Sequence, residues 1–415
     1  MSRFVPWALV ALCFTLGVAS RSIADSFGIF VPSLQEAFGA SRASVTAIYS
    51  FCLLVAGTGA PLAGWLADRF GLRTLTMTGI AAAALGTLSA SVADQVWQLY
   101  IGLGLVMGFG SAALGGVLHS SLLGRWFPPA RLGTALALAW SASGVGGILI
   151  LPLAQYLITS AGWRHAYLVL GLSTASFLVL LAVLPWRRIE AGAPGIVPPR
   201  VAHPGGGSGP TVKEAMREWP FWGLGLAFMG TSLGIFSMAP QFMAYLTERG
   251  VDGAYAARAL AVAGVLTPIG MVGFNWLADR GGRRIAAVLA YGCSLGGLGA
   301  LALVRGPTDD LWLWLFVALF GCSVGSRGPM ISTLVTLRYR GANLGRIYGL
   351  ISVGMGLGGS LGAWIGGVLH DLTGGYTAVM IFSALSLLMA AGSLTNEAAA
   401  REKRAGRALA SAQND

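Results

Sequence analysis

Long apolar runs, separated by short charged or Gly/Pro-rich breaks, occupy the chain from its start to about residue 394. Twelve runs are distinguishable: 5–33, 43–66, 74–92, 97–123, 131–158 and 164–186, then 219–246, 254–278, 285–304, 311–335, 344–370 and 374–394. Each approaches or exceeds the roughly 20 residues an α-helix needs to cross a bilayer core. A backbone in hydrocarbon must satisfy its own N–H and C=O groups, so each run is expected to be helical. The first run follows Arg3 and passes the small residues Ala19 and Ser20, which are features of a secretory leader. It continues past Arg21 to Pro32, however, and eleven more runs follow, so an uncleaved first span is expected.

Composition agrees. Of 415 residues, 55% are hydrophobic and 10% charged, with a mean hydropathy of +0.71. A soluble domain carries about a quarter charged residues, so a soluble enzyme, a secreted scaffold and a disordered chain are all excluded. The 61 glycines suit close helix packing in lipid. Cys13, Cys52, Cys293 and Cys322 lie scattered in apolar runs and read as small core residues, with no metal site or disulfide framework. No cofactor is expected.

The net charge of +11 raises the question of nucleic acid, and the placement of the charges answers it. With the N-terminus in the cytoplasm, 20 of the 27 basic residues fall on the cytoplasmic side and five on the outer side, while Arg21 and Arg327 lie within spans. Basic loops resist translocation, so both termini and the central loop are expected in the cytoplasm. The excess charge is a topology signal, and the expected surroundings are membrane lipid without nucleic acid.

The chain also repeats itself. Residues 187–218 are rich in Pro and Gly, include Gly205-Gly206-Gly207, and read as a flexible cytoplasmic linker. On either side, Trp65-Leu66-Ala67-Asp68-Arg69 with Gly71 and Arg73 returns as Trp276-Leu277-Ala278-Asp279-Arg280 with Gly282 and Arg284, 211 residues later. Gly162-Trp163 is echoed by Gly375-Tyr376 at an offset of 213. Near-equal offsets indicate two homologous halves related by an axis along the membrane normal. The expected fold is an all-α membrane protein of twelve transmembrane helices in two pseudo-symmetric six-helix bundles, 1–186 and 219–394, with a disordered basic cytoplasmic tail at 395–415.

The run Gly64-Trp65-Leu66-Ala67-Asp68-Arg69-Phe70-Gly71-Leu72-Arg73 resembles the signature loop of the major facilitator superfamily, with Gly64, Asp68, Arg69, Gly71 and Arg73 in place. The second copy carries Asn275 where the first glycine would stand. The resemblance implies that Asp68 and its basic neighbours, with Asp279, Arg280, Gly282 and Arg284 in the copy, act as gating loops at the cytoplasmic face. Within that superfamily the chain is most similar to the monocarboxylate transporter family, in its bacterial branch. The similarity rests on Ser26-Phe27-Gly28-Ile29-Phe30-Val31-Pro32, on Arg125-Trp126-Phe127 through Pro152, and on Gly345-Arg346-Ile347-Tyr348-Gly349 with Asp371-Leu372-Thr373-Gly374-Gly375-Tyr376. It implies proton-coupled or exchange transport of small organic anions. Animal members place a substrate-binding Arg in span eight, whereas here that span carries no charge before Asp279. An anion's partner must come from elsewhere.

Charges at membrane depth cost about 2.5–3.5 kcal/mol each on insertion scales, which makes each one a functional candidate. Arg327, beside Gly325, Gly328 and Pro329, reads as a carboxylate anchor or as a structural charge tied to carbonyls or a facing acid. Arg21 and Asp25 lie four apart on one helical face. They are open to two readings, as substrate and proton sites or as an intrahelical salt bridge. His119 is either a proton or substrate ligand or a hydrogen-bonded core histidine. Tyr49, Ser143, Gln241, Tyr245 and Trp364 are candidates to line the path or to serve as packing, and His370 with Asp371 reads as a helix end.

The leading expectation is a secondary transporter, functional as a monomer, moving a monocarboxylate-like acid with a proton by rocking two halves about a central site. The alternatives are proton-coupled efflux of amphipathic compounds, with Asp25 as its acid, and organic-acid exchange. No Ser/His/Asp set, HExxH motif, paired aspartates or phosphate-binding loop supports an intramembrane enzyme or an ATP-driven pump.

Overall fold

The computed structural model of the chain describes residues 4–194, 196 and 209–414. Among them every regular element is a helix and no strand forms. Among the described residues ten helices are long and apolar enough to cross a membrane, so the chain is an integral membrane protein. A shorter apolar helix spans Ser44–Thr58, and one of the ten, Pro129–Ala182, runs for 54 residues. That length exceeds one bilayer crossing about twofold. It turns at Gly162, whose φ of 84° and ψ of 165° lie where L side chains are rarely found.

Glycine makes two further reversals. Gly71 (φ 88°) interrupts the helix Ala60–Ser91, and Gly282 (φ 100°) separates Gly253–Gly281 from Arg283–Leu303. These are the same position in the two sequence repeats, so the signature loop bends its chain in one way twice.

The first span is discontinuous. Helix Phe4–Gly17 passes into a π-helical turn at Val18–Ser22, a short helix at Ile23–Asp25, and then Phe27–Phe38. Ser26 joins the pieces by donating its hydroxyl to the Ile23 carbonyl at 2.7 Å. Such π-turns are rare and frequent at functional sites, and this one carries Arg21.

By internal contacts the residues gather into two compact units. One comprises Met1–Pro128, Leu138–Val212 and Thr336–Leu357, the other Pro129–Ala137, Lys213–Val335 and Gly358–Asp415. In the first unit an apolar core around Phe30, Ile48, Leu103 and Tyr167 includes a 4.0 Å stack of Phe30 on Tyr167. Its helices also meet on glycine: a Cβ at Gly64 would strike the Gly345 carbonyl, and one at Gly57 would strike Gly356. In the second unit Phe242 packs edge-on against Phe316 and Phe320.

Two expectations are corrected. The segment read as a flexible linker starts with a docked helix, Trp186–Ala191. Trp126 donates its indole N–H to the Ile189 carbonyl at 2.8 Å, and Arg125 donates to the Glu190 carbonyl at 2.9 Å. Burial of Trp186 and Ile189 holds the turn in place. The Gly205-Gly206-Gly207 run lies outside the described residues. The tail expected to be disordered instead continues the helix Thr377–Asn414. Its composition accounts for this, because Ala, Glu, Lys and Arg are strong helix formers and dominate 397–410.

Candidate functional site

In the first unit three sequence candidates come together. Arg21 Nε lies 3.0 Å from Asp25 Oδ1 and 3.1 Å from Oδ2, and the Tyr49 hydroxyl donates to Asp25 Oδ1 at 2.7 Å. The π-turn and the break at Ser26 place Arg21 and Asp25 on one face, and helix Arg42–Thr58 delivers Tyr49 opposite them. Phe27 stacks on the Tyr49 ring at 6.2 Å. The Arg21 and Asp25 side chains are about one-third exposed, at 33% and 30%. The charge here is neutralised within the protein.

The second unit holds its interior charge differently. Arg327 opens the helix Arg327–Arg338 just after the break at Gly325-Ser326, and it is fully buried. Among the described residues no carboxylate pairs with it. Its Nη2 makes a long 3.4 Å contact to the Val324 carbonyl, while Nε and Nη1 have no hydrogen-bond partner. The guanidinium carbon stands 5.0 Å from the ring centroid of Tyr291. Tyr291 is itself buried, and its hydroxyl shares a 2.6 Å hydrogen bond with Thr231 Oγ1.

One turn away, Ser294 and Ser323 meet at 2.5 Å. Tyr291 and Ser294 lie three apart on one helix, and Ser323 and Arg327 lie four apart, so two rungs join the pair of segments. Tyr291 and Thr231 were not among the sequence candidates. A signal existed, since Tyr291 is the only aromatic in 285–304.

The other candidates sit apart from these clusters. His119 is buried on helix Gly116–Leu123; the Cys13 backbone lies beside it, but neither ring nitrogen makes a hydrogen bond of good geometry. Ser143 donates locally to the Trp140 carbonyl at 3.3 Å. Gln241 donates to the Ser237 carbonyl at 3.1 Å from a single 3₁₀ turn. The Tyr245 hydroxyl is taken by the Leu301 and Val304 carbonyls at 3.0 and 3.3 Å, and its ring packs edge-on against Tyr376. That geometry is a core anchor. Trp364 is 66% exposed. His370 lies 3.6 Å from Asp371 and against the Tyr376 ring at 4.5 Å, near the end of helix Leu344–Thr373.

In the two copies of the signature loop, each aspartate accepts N–H groups of another helix. Asp68 accepts the backbone N–H groups of Gly345 and Arg346 at 3.0 and 2.8 Å, at the start of helix Leu344–Thr373. Asp279 accepts those of Gly133 and Thr134 at 3.2 and 2.8 Å, and the Thr134 hydroxyl at 2.9 Å, near the start of helix Pro129–Trp140. Asp68 thus satisfies orphan N–H groups of a first helical turn and faces the positive end of the dipole, whereas Asp279 holds the fifth and sixth residues of its helix.

Of the basic neighbours, Arg69 stands over the Trp65 and Phe70 rings and Arg280 over Trp276 at 4.4 Å. The Arg73 N–H is held by Glu190 at 2.9 Å, and Arg284 lies in the first turn of Arg283–Leu303. Arg125 beside Glu190 is pushed below its ordinary value by burial, opposed by Glu190 and Asp68. Where the first loop has Gly64 against Gly345, the second has Asn275 beside a small cavity that Gly133, Asp279 and Arg283 also line.

Comparison with known proteins follows this geometry. The model of the Major Facilitator Superfamily matches residues 8–340. The chain is 30% identical to human monocarboxylate transporter 11, over 92% of this chain and 80% of that protein. It is also 30% identical to bovine monocarboxylate transporter 13, over 94% and 88%. Among solved structures, the fucose:proton symporter FucP of E. coli superposes with a TM-score of 0.73 at 17% identity, covering 96% of this chain and 99% of that one. The relatives and the fold are those of transporters of small molecules, and none is an enzyme. This chain belongs to the major facilitator superfamily and, within it, to the monocarboxylate transporter type.

Proposed function

We propose that this protein moves a small, monocarboxylate-like organic anion across the bacterial inner membrane by alternating access, with a proton as the coupled ion. The single observation that carries this reading is Arg327, a fully buried guanidinium with two unpartnered nitrogens and no carboxylate beside it among the described residues. A cation left in that state at membrane depth is costly unless something negative comes to it. A carboxylate satisfies a guanidinium with two parallel N–H···O bonds, where a neutral sugar or a cation does not. The relatives named as monocarboxylate transporters support the same substrate class.

The architecture we propose is twelve spans in two six-helix bundles, residues 1–186 and 219–394, joined by the cytoplasmic segment 187–218. The ten long helices among the described residues, the shorter Ser44–Thr58, and the turn of Pro129–Ala182 at Gly162 are compatible with that number. Both termini lie in the cytoplasm on the charge argument, and a monomer suffices for transport. Arg327 anchors the anion. Arg21, Asp25 and Tyr49 form the coupling element: a proton on Asp25 removes the partner of Arg21 and frees that guanidinium for a second contact. His119 is a second protonatable group. Asp68 and Asp279, with Arg69, Arg73, Arg280 and Arg284, serve as the gate. Ser143, Gln241 and Trp364 line the path, and Tyr245 supports it from the core.

The test is uptake of a panel of radiolabelled acids into proteoliposomes, with and without an inward pH gradient, repeated with Arg327→Ala. Uptake of a monocarboxylate that the gradient stimulates and the variant abolishes is the expected result. Anion uptake unchanged by Arg327→Ala would remove Arg327 from the site, and uptake indifferent to the gradient would favour exchange over symport.

A further inference from the structure

A buried cation can be stabilised in two ways that have opposite consequences for binding. An acidic partner neutralises it and consumes its N–H donors, as Asp25 does for Arg21. An aromatic face attracts it through the ring quadrupole and takes no N–H. Arg327 has the second arrangement, with the Tyr291 ring centroid 5.0 Å from its guanidinium carbon and Nε and Nη1 unbonded. The ring has little freedom to turn away, because the Tyr291 hydroxyl is tied to Thr231 at 2.6 Å and both side chains are buried. The neighbouring Ser294–Ser323 contact fixes the spacing of the two backbones that carry Tyr291 and Arg327.

We propose that Tyr291, tethered by Thr231, is the positioning residue that holds the Arg327 guanidinium in place with its donors uncommitted for an incoming carboxylate. The inference rests on the reading of Arg327 as the anion anchor. It adds that the readiness of the anchor comes from an aromatic face in span nine and a hydroxyl in span seven. Tyr291 does not touch the substrate; it acts through Arg327. The expected signature is therefore a change in half-saturating substrate concentration with a smaller change in maximal rate.

Counterflow of a radiolabelled mixture of L-lactate, pyruvate and butyrate in proteoliposomes provides the readout. Tyr291→Leu should raise the half-saturating concentration of the mixture about tenfold or more and leave the maximal rate within about twofold. Tyr291→Phe keeps the face and loses the tether, so it should raise half-saturation, but by less than Tyr291→Leu does, and Thr231→Val should match it. Should Tyr291→Leu fail to fold, phenylalanine and its mono-, di- and trifluoro analogues at position 291 keep the volume while weakening the face stepwise. Half-saturation should then rise with each fluorine, which a purely structural ring would not produce.

A flat series, or Tyr291→Leu with native half-saturation, overturns the positioning role while leaving Arg327 as the anchor, provided Arg327→Gln abolishes counterflow in the same preparation. Normal counterflow with Arg327→Gln, or none with the native protein, overturns the anchor reading and this inference with it.

Discussion

Arg21 and Arg327 are the two basic residues that the apolar runs enclose, and the protein treats them in opposite ways. Arg21 is partly exposed and paired twice with one carboxylate, to which Tyr49 adds a third bond. Arg327 is more deeply buried, where a lone charge costs most, and it has an aromatic ring and a distant carbonyl in place of an acid. If burial alone decided pairing, the deeper charge would carry the carboxylate. The inversion leaves the first charge satisfied within the protein and the second with Nε and Nη1 unbonded.

The strongest way to break this comparison is to neutralise Arg327. Arg327→Gln should reduce anion uptake by about 100-fold or more, since charge-assisted contacts to a carboxylate are worth about 1.5–3 kcal/mol each. Its thermal unfolding midpoint should stay level or rise, because replacing an uncompensated buried cation removes a desolvation cost. A variant that unfolds early yet still transports would sink the distinction.

The reverse holds for Arg21. Asp25→Asn leaves Arg21 without its anion and should cost about 1–2 kcal/mol, less than for a fully buried pair because both side chains are about one-third exposed. It should also abolish stimulation of uptake by a pH gradient. In the double variant Arg21→Gln, Asp25→Asn, much of the lost stability should return, which a denaturation series would show. If Asp25→Asn alone matches the native midpoint, the pair is not holding the first span.

The smallest effects belong to the signature-loop aspartates. Asp68→Ala and Asp279→Ala should each lower stability by about 1 kcal/mol, on the scale of a lost N-cap carboxylate. Both should alter the rate of transport more than its half-saturation, measurable in the same liposomes.

Much of this was legible in the order of residues. The apolar runs located the spans, and the 211-residue echo located Asp68 and Asp279 as equivalent positions. The interior charges stood out because lipid makes them rare. The Arg21–Asp25 pair could be suspected, since a spacing of four places both on one helical face. Its third member, Tyr49, lies 24 positions away and was one polar aromatic among several. Tyr245 looked equivalent, yet its hydroxyl is spent on the Leu301 and Val304 carbonyls, more than fifty positions distant. The basic charge of the tail suggests a disordered end, whereas its alanines with Glu397, Arg401, Glu402 and Lys403 favour the helix that forms.

The sequence by itself determined that this chain lives in a membrane, crosses it many times, repeats itself once and carries two enclosed arginines. Each of those properties belongs to a stretch of residues and its exchange between water and lipid, so it can be summed along the chain. Which arginine has its donors satisfied and which does not was decided only by the tertiary structure. Tyr291 and Thr231 are 60 positions apart, and Asp68 reaches its N–H groups 277 and 278 positions onward. A hydrogen bond depends on ångström-scale approach between such distant segments, and nothing local in either segment encodes that approach.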